Sequence, residues 1–266
     1  MTGAWGEFEG GLCIILRMNN KSRFILSLGL ISAMLVAVLA AGCAQAPVSS
    51  AGTIVGSGKV ISETRDVSGF TSVEFSAPGY LTITQGDAES LSIQAEDNLL
   101  PAITTTVADG VLTIDVKSGT TLQNTSMIQY TLVVKDLSSI LDTGSGYVSA
   151  GGLTLADFSF KASGSGDAKL TGLTAANLAV ELTGSGASDI DGTADALTLT
   201  STGSGTFNGA SMAVKDATVS ITGSGNATVN ASGTLDVTLT GSGNLVYAGE
   251  PEITQNVTGS GTISAQ

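Results

Sequence analysis

The chain has 266 residues, 23 acidic and 10 basic, and a formal net charge of −13. So few cations exclude the clustered Lys and Arg that a nucleic-acid surface needs. Histidine is absent and the two cysteines, Cys13 and Cys43, are not in metal-ligand spacing, which excludes a Cys/His metal centre.

Residues 1–17 precede a second methionine, Met18, and read as an over-extended start. From Met18 the chain has the parts of an export signal: Lys21 and Arg23, an apolar run from Phe24 to Ala41, then Ala40-Ala41-Gly42-Cys43. That ending resembles the lipobox of bacterial lipoproteins, with Leu39 one place further from the cysteine than usual and Ala40 in its place. The resemblance implies a signal peptide over 18–42 and lipidation of Cys43, whose acyl chains would hold the protein to a membrane. The run is also long enough to stay as an uncleaved anchor, or to be cleaved with secretion. All three readings place the mature chain outside the cytoplasm, and the lipid-anchored one places it in the cell envelope. Residues 43–58 are small and polar, and are expected to form a flexible tether.

Residues 59–143 hold strand candidates at Ser72–Phe75, Tyr80–Thr84, Ser90–Gln94, Val111–Val116 and Tyr130–Val134. Turns fall at Pro78-Gly79, Gln85-Gly86-Asp87 and Asp109-Gly110. Ala95–Leu100, ending at Pro101, is the one candidate for a short helix or bend. The region is expected to supply irregular coils that cap the C-terminal repeats.

From 144 to 266 the sequence repeats. Gly-Ser-Gly recurs with its two glycines at Gly144 and Gly146, Gly164 and Gly166, Gly184 and Gly186, Gly203 and Gly205, Gly223 and Gly225, Gly241 and Gly243, and Gly259 and Gly261. A period of about 19 residues is that of a solenoid built from one coil per repeat. A second glycine comes eight residues after the first in several repeats, at Gly152, Gly172, Gly192 and Gly249. Between the corners apolar residues alternate with polar ones, as in Leu235-Asp236-Val237-Thr238-Leu239, the pattern of a strand with one buried face. The predicted fold is all-β, a right-handed parallel β-helix or β-solenoid, with the glycines at corners because they tolerate positive φ. The seven serines between the glycines should then stack in one ladder.

Arg65-Asp66-Val67-Ser68-Gly69-Phe70, the run from Ala77 to Gly86, the run from Leu91 to Asn98, Asp109–Ile114 and the recurrent Gly-Ser-Gly resemble the family described as putative auto-transporter adhesin, head GIN domain. The resemblance covers about residues 62–262 and implies a β-helical extracytoplasmic domain. It brings no catalytic residues and no cofactor.

The acidic residues of the repeats are spread through the coils, and only Asp189 and Asp191 are placed to share a strand face. The reading is therefore a lipid-anchored envelope protein that binds a glycan or protein surface through its polar ladders, without catalysis. Two others stand beside it. One is a polysaccharide-active β-helix enzyme. The other is a structural component that recruits a like chain to an exposed strand edge, a homo-oligomer.

Overall fold

The computed structural model describes residues 52–266. The export signal and Cys43 lie outside the described residues.

Strands make up 68% of the described residues and nearly all of the regular secondary structure. The first nine belong to the irregular part: β1 (Gly52–Val55), β2 (Val60–Arg65), β3 (Ser72–Phe75), β4 (Tyr80–Gln85), β5 (Ser90–Glu96), β6 (Ile103–Ala108), β7 (Val111–Val116), β8 (Thr120–Gln123) and β9 (Gln129–Val134). The regular coils come next: β10 (Ser139–Asp142), β11 (Tyr147–Gly151), β12 (Thr154–Ala162), β13 (Asp167–Leu182), β14 (Ala187–Ser201) and β15 (Thr206–Gly223). The last are β16 (Asn226–Ala231), β17 (Thr234–Gly241), β18 (Asn244–Ala248), β19 (Glu252–Gly259) and β20 (Thr262–Ala265). A single 3-10 turn, Leu100–Ala102, has Pro101 in its first turn, so it begins about where the sequence pattern places the end of a helix.

Each coil stacks on the next in parallel register, giving a β-solenoid of about six turns. One wall runs from β3 through β10 to the ends of β12, β13, β14, β15, β17 and β19. A second runs from β4 through β11, the starts of β13, β14 and β15, then β16, β18 and β20. Period-2 alternation puts one set of side chains inside. Ile140, Phe160, Val180, Leu199, Val219 and Val237 form one such column, in register from coil to coil and buried throughout. Burial of these columns on stacking is the main stabilising term, since no single coil covers its own apolar face.

The N-terminal part does not stack in chain order. The β3–β4 coil lies between two others: β7 and β9 pair with it on one side, β10 and β11 on the other. Beyond β7 and β9 the ladder turns antiparallel, with β6 on β7, β5 on β9 and β2 on β5. Residues 52–58 were expected to belong to a flexible tether. Here β1 pairs with β8, and Gly56–Gly58 pack around Glu96.

The corners explain the repeat. Each serine amide from Ser165 onward donates to the first glycine carbonyl of the coil before: Ser165 to Gly144, Ser185 to Gly164, Ser204 to Gly184, Ser224 to Gly203, Ser242 to Gly223 and Ser260 to Gly241, at 2.9–3.3 Å. All seven serines are exposed along this one corner. Corner backbones approach so closely that a Cβ on Gly164, Gly184 or Gly186 would sit 1.8 Å from the carbonyl oxygen of the equivalent glycine one coil earlier. The same overlap, at 2.1–2.8 Å, recurs at the other triplet glycines from Gly166 to Gly261. Gly144 and Gly146 meet the Ser76–Gly79 corner of the β3–β4 coil instead.

Positive φ is therefore not the general reason for these glycines. Among the triplets it occurs only at Gly223, Gly241 and Gly259. The second corner is different: Gly152, Gly172, Gly192 and Gly249 all have positive φ. The triplet corner requires glycine for close approach; the second requires it for backbone conformation, with close approach added at Gly192 and Gly249, where a Cβ would sit 2.0 Å from a carbonyl oxygen of the coil before.

Gly186→Ala should destabilise the protein by on the order of 3 kcal/mol, because backbone must move on two coils. Ser185→Ala, one residue away but exposed, should stay within about 0.5 kcal/mol of wild type. Urea unfolding followed by circular dichroism measures both; equal effects would contradict the close-approach account.

Candidate functional site

A groove lies where the second wall meets the first regular corner. In-register pairing places Tyr80 of β4 beside Tyr147 of β11, and Tyr147 beside Asp167 of β13. Their neighbours Leu81, Val148 and Ala168 point into the core, so all three point outward. The two tyrosine rings lie with centroids 5.3 Å apart and a 35° tilt, and Tyr80 is 44% exposed.

A loop closes one side. Asn124–Ile128 runs past the tyrosines and, with Ser145, Ser165 and Asp167, frames a groove of about 480 Å³. Met127, 52% exposed, lies on its rim. Gly79 (φ 119°) lets the loop approach, since a Cβ there would be 2.5 Å from the Ile128 carbonyl oxygen. That carbonyl accepts the Tyr80 amide at 2.9 Å.

Glu96 anchors the loop. Its buried carboxylate accepts hydrogen bonds from the Thr125 hydroxyl, from the Thr125 amide at 3.0 Å and from the Gly58 amide at 2.8 Å. The Thr125 hydroxyl, with the backbone donors adding to it, holds this carboxyl below the usual glutamate range. A Cβ on Gly56 would overlap the carboxylate. The isolated Gly56-Ser57-Gly58 thus clips the start of the described chain to the loop that frames the groove. Ser57 completes the clip, its amide donating to Asn98 and its hydroxyl to Asp97.

Burial is the main influence raising the Tyr147 hydroxyl's pKa, followed by the charges of Asp189 and Asp167. The site is therefore an aromatic pair at an acidic edge. The polar column continues from Asp167 through Ala187, Thr206, Asn226 and Asn244 to Thr262. Asn226 accepts from Asn244, and Asn244 from Thr262, which fixes the side chains as a ladder.

Asp189 and Asp191 line one hollow of about 160 Å³ with Lys169 and Asn208. Both carboxylates are engaged: Asp189 accepts from the Asn208 side chain at 2.8 Å and Asp191 from the Gly172 amide at 2.6 Å.

Beneath the first corner lies Asp142, 1% exposed, in an inward column between Phe75 and Ala162. One oxygen accepts the Gly144 amide at 3.1 Å, and the other has no partner. Desolvation, with a smaller push from Asp167, raises its pKa to about 6.

The pair of tyrosines escapes sequence reasoning, although a signal is present. Pro78-Gly79-Tyr80 and Ser145-Gly146-Tyr147 are equivalent corner exits, 67 positions apart and brought together by the out-of-order stacking.

This is a β-solenoid that carries, among the described residues, an exposed corner ridge, polar columns and a groove with a tyrosine pair. The chain belongs to the family described as putative auto-transporter adhesin, head GIN domain, whose model matches residues 69–251. A putative adhesin from Bacteroides fragilis is 27% identical, with a TM-score of 0.76 over 80% of this chain and 100% of its own. A putative lipid binding protein from Parabacteroides distasonis is 24% identical, with a TM-score of 0.66 over 81% and 100%. A putative adhesin from Parabacteroides merdae is 21% identical, with a TM-score of 0.63 over 80% and 99%. Among curated proteins, none matches the chain.

Asp142 gives a pH prediction whose sign is fixed. Its pKa is raised in the folded state, so stability is greatest below the unfolded-state value near 4. It falls as pH rises through about 6. Glu96, Asp97 and Asp216 are shifted downward and act in the opposite sense, so the comparison must be with a variant. Asp142→Asn should be more stable than wild type by about 1–3 kcal/mol at pH 8, and equal to it at pH 4. Thermal unfolding at the two pH values reads the difference.

Proposed function

We propose that the protein is a lipid-anchored adhesin of the cell envelope that binds carbohydrate at the Tyr80–Tyr147 groove. One observation carries this reading: two adjacent tyrosines, Tyr80 exposed and Tyr147 half-buried, in a groove of disaccharide size that Asp167, Ser145, Ser165 and Ser126 also line. Aromatic faces offer apolar area, and a few fixed polar groups orient a ligand that has both C–H faces and hydroxyls. A sugar ring has both. The ladder from Asp167 to Thr262 extends the contact along the solenoid axis, which suits a polymer better than a single residue.

The absence of catalysis belongs to the same proposal. Asp189 and Asp191, the pair placed to share a face, are each committed to holding the fold rather than left to move a proton. The names of the structural relatives, adhesins and a binding protein, favour binding as well. Anchoring rests on the sequence ending at Cys43. It places the groove outside the cytoplasm, where glycans are presented.

Glycan-array binding of the mature chain tests the proposal. Tyr147→Ala should weaken binding to any positive glycan by about tenfold or more, and Tyr80→Ala similarly, with the fold unchanged. An array without binding, or binding indifferent to both substitutions, would sink the assignment. Mass spectrometry of the mature protein reads the anchor independently: the first residue should be Cys43 carrying acyl mass, and any other first residue excludes the lipoprotein.

A further inference from the structure

The two ends of the solenoid are built differently. At the N-terminal end the edge strand β2 carries Glu63 and Arg65, paired at 3.0 Å, and Lys59 precedes it. Charged side chains on an edge strand discourage pairing with another chain. At the other end β19 and β20 form the last coil, and among the described residues nothing pairs with their outer edges. The last cation in the sequence is Lys215, so neither strand carries Lys or Arg. The core also runs out here uncovered: Val257 is 43% exposed, and Ile253 and Ile263 are only partly buried against the coil before.

We propose that this open coil is the interface of a two-fold homodimer, formed by β19 pairing antiparallel with β19 of a second copy. The sequence of β19 is self-complementary in one register. With Gln255 opposite its own equivalent, Ile253 faces Val257 of the second copy on the inner side, and Thr254 faces Asn256 on the outer side. Opposite residues of an antiparallel pair share a face, so this register joins the two cores across the axis. Gln255 occupies an inward position, in register with Val237. Beside its symmetry mate it gains an amide partner, as a buried polar group requires. The only carboxylate of β19 is Glu252, at the far end of the strand, where it meets Thr258 of the second copy rather than another acid. The symmetry is closed, since each copy has one such end, so association stops at two.

Analytical ultracentrifugation of residues 44–266, which contain every described strand, is the test. Wild type should sediment as a dimer. Val257→Lys, at a site already 43% exposed, should be monomeric and keep the wild-type circular dichroism spectrum. Thr218→Lys, exposed on the side wall, should remain dimeric. As a second readout, Gln255→Cys in the full chain in its own envelope should form a disulfide-linked dimer, and Thr218→Cys should not. A monomeric wild type, a dimer that survives Val257→Lys, open-ended polymers, or no cross-link at position 255 would each overturn the proposal.

Discussion

The structure depends on how closely one corner can lie on the next. Strands in neighbouring coils are held roughly 4.8 Å apart by their hydrogen-bond ladders. A corner must keep that spacing while the chain changes direction, and its carbonyl groups point along the solenoid axis at the next corner. A Cβ at either triplet glycine collides with a carbonyl oxygen. Removing the Cβ from both flanking positions lets the serine amide and the residue after the triplet continue the ladder without a break, as Thr206 does on Gly186 and Asn226 on Gly205. Side chains then appear only where they can point outward, and a row of exposed serines marks the ridge.

Both the core and the surface derive from that constraint. Coils that stack in register bring like positions together, so inward columns become continuous apolar stacks and outward columns become ladders. The departures are concentrated at the first regular coil. Asp142 interrupts an apolar column with a carboxylate that has one hydrogen bond, and Tyr80 and Tyr147 replace the small or polar residues that occupy their column elsewhere. Local cost and local exposure of aromatic surface thus coincide at the coil where the regular stack meets the cap. Such coincidence is common where structure serves binding, because a ligand site needs groups that a uniform stack does not supply.

Much of the fold is legible in the sequence because solenoids repeat their instructions. The period of the triplet, the alternation in Leu235–Leu239 and the second glycine at Gly152 or Gly172 each describe one coil, and the rest follow by translation. Five strands of the irregular part are also readable from alternation alone. The illegible part is non-local. Nothing in residues 72–134 announces that β3 and β4 lie between β7–β9 and β10–β11, since parallel pairing leaves no mark on either strand. The same fact conceals the site: Tyr80 and Tyr147 are neighbours only through that rearrangement. Glu96 is hidden differently. A lone acid in an otherwise ordinary strand becomes a loop anchor only once Thr125 and Gly58 are brought to it. The reason for the triplet glycines also differs from the one their sequence suggests, contact rather than backbone conformation, because close approach is invisible until two coils are stacked.

Residue-resolved amide hydrogen exchange by NMR tests the stacked-corner account most directly. Ser165, Ser185, Ser204, Ser224, Ser242 and Ser260 have exposed side chains in a stretch with the composition of a Gly/Ser loop. Their amides should nevertheless be protected to the same degree as flanking strand residues such as Val180, Leu199 and Val219, because each donates to the coil before it. Rapid exchange at these six serines, at the rate of an unstructured glycine-rich turn, would contradict it.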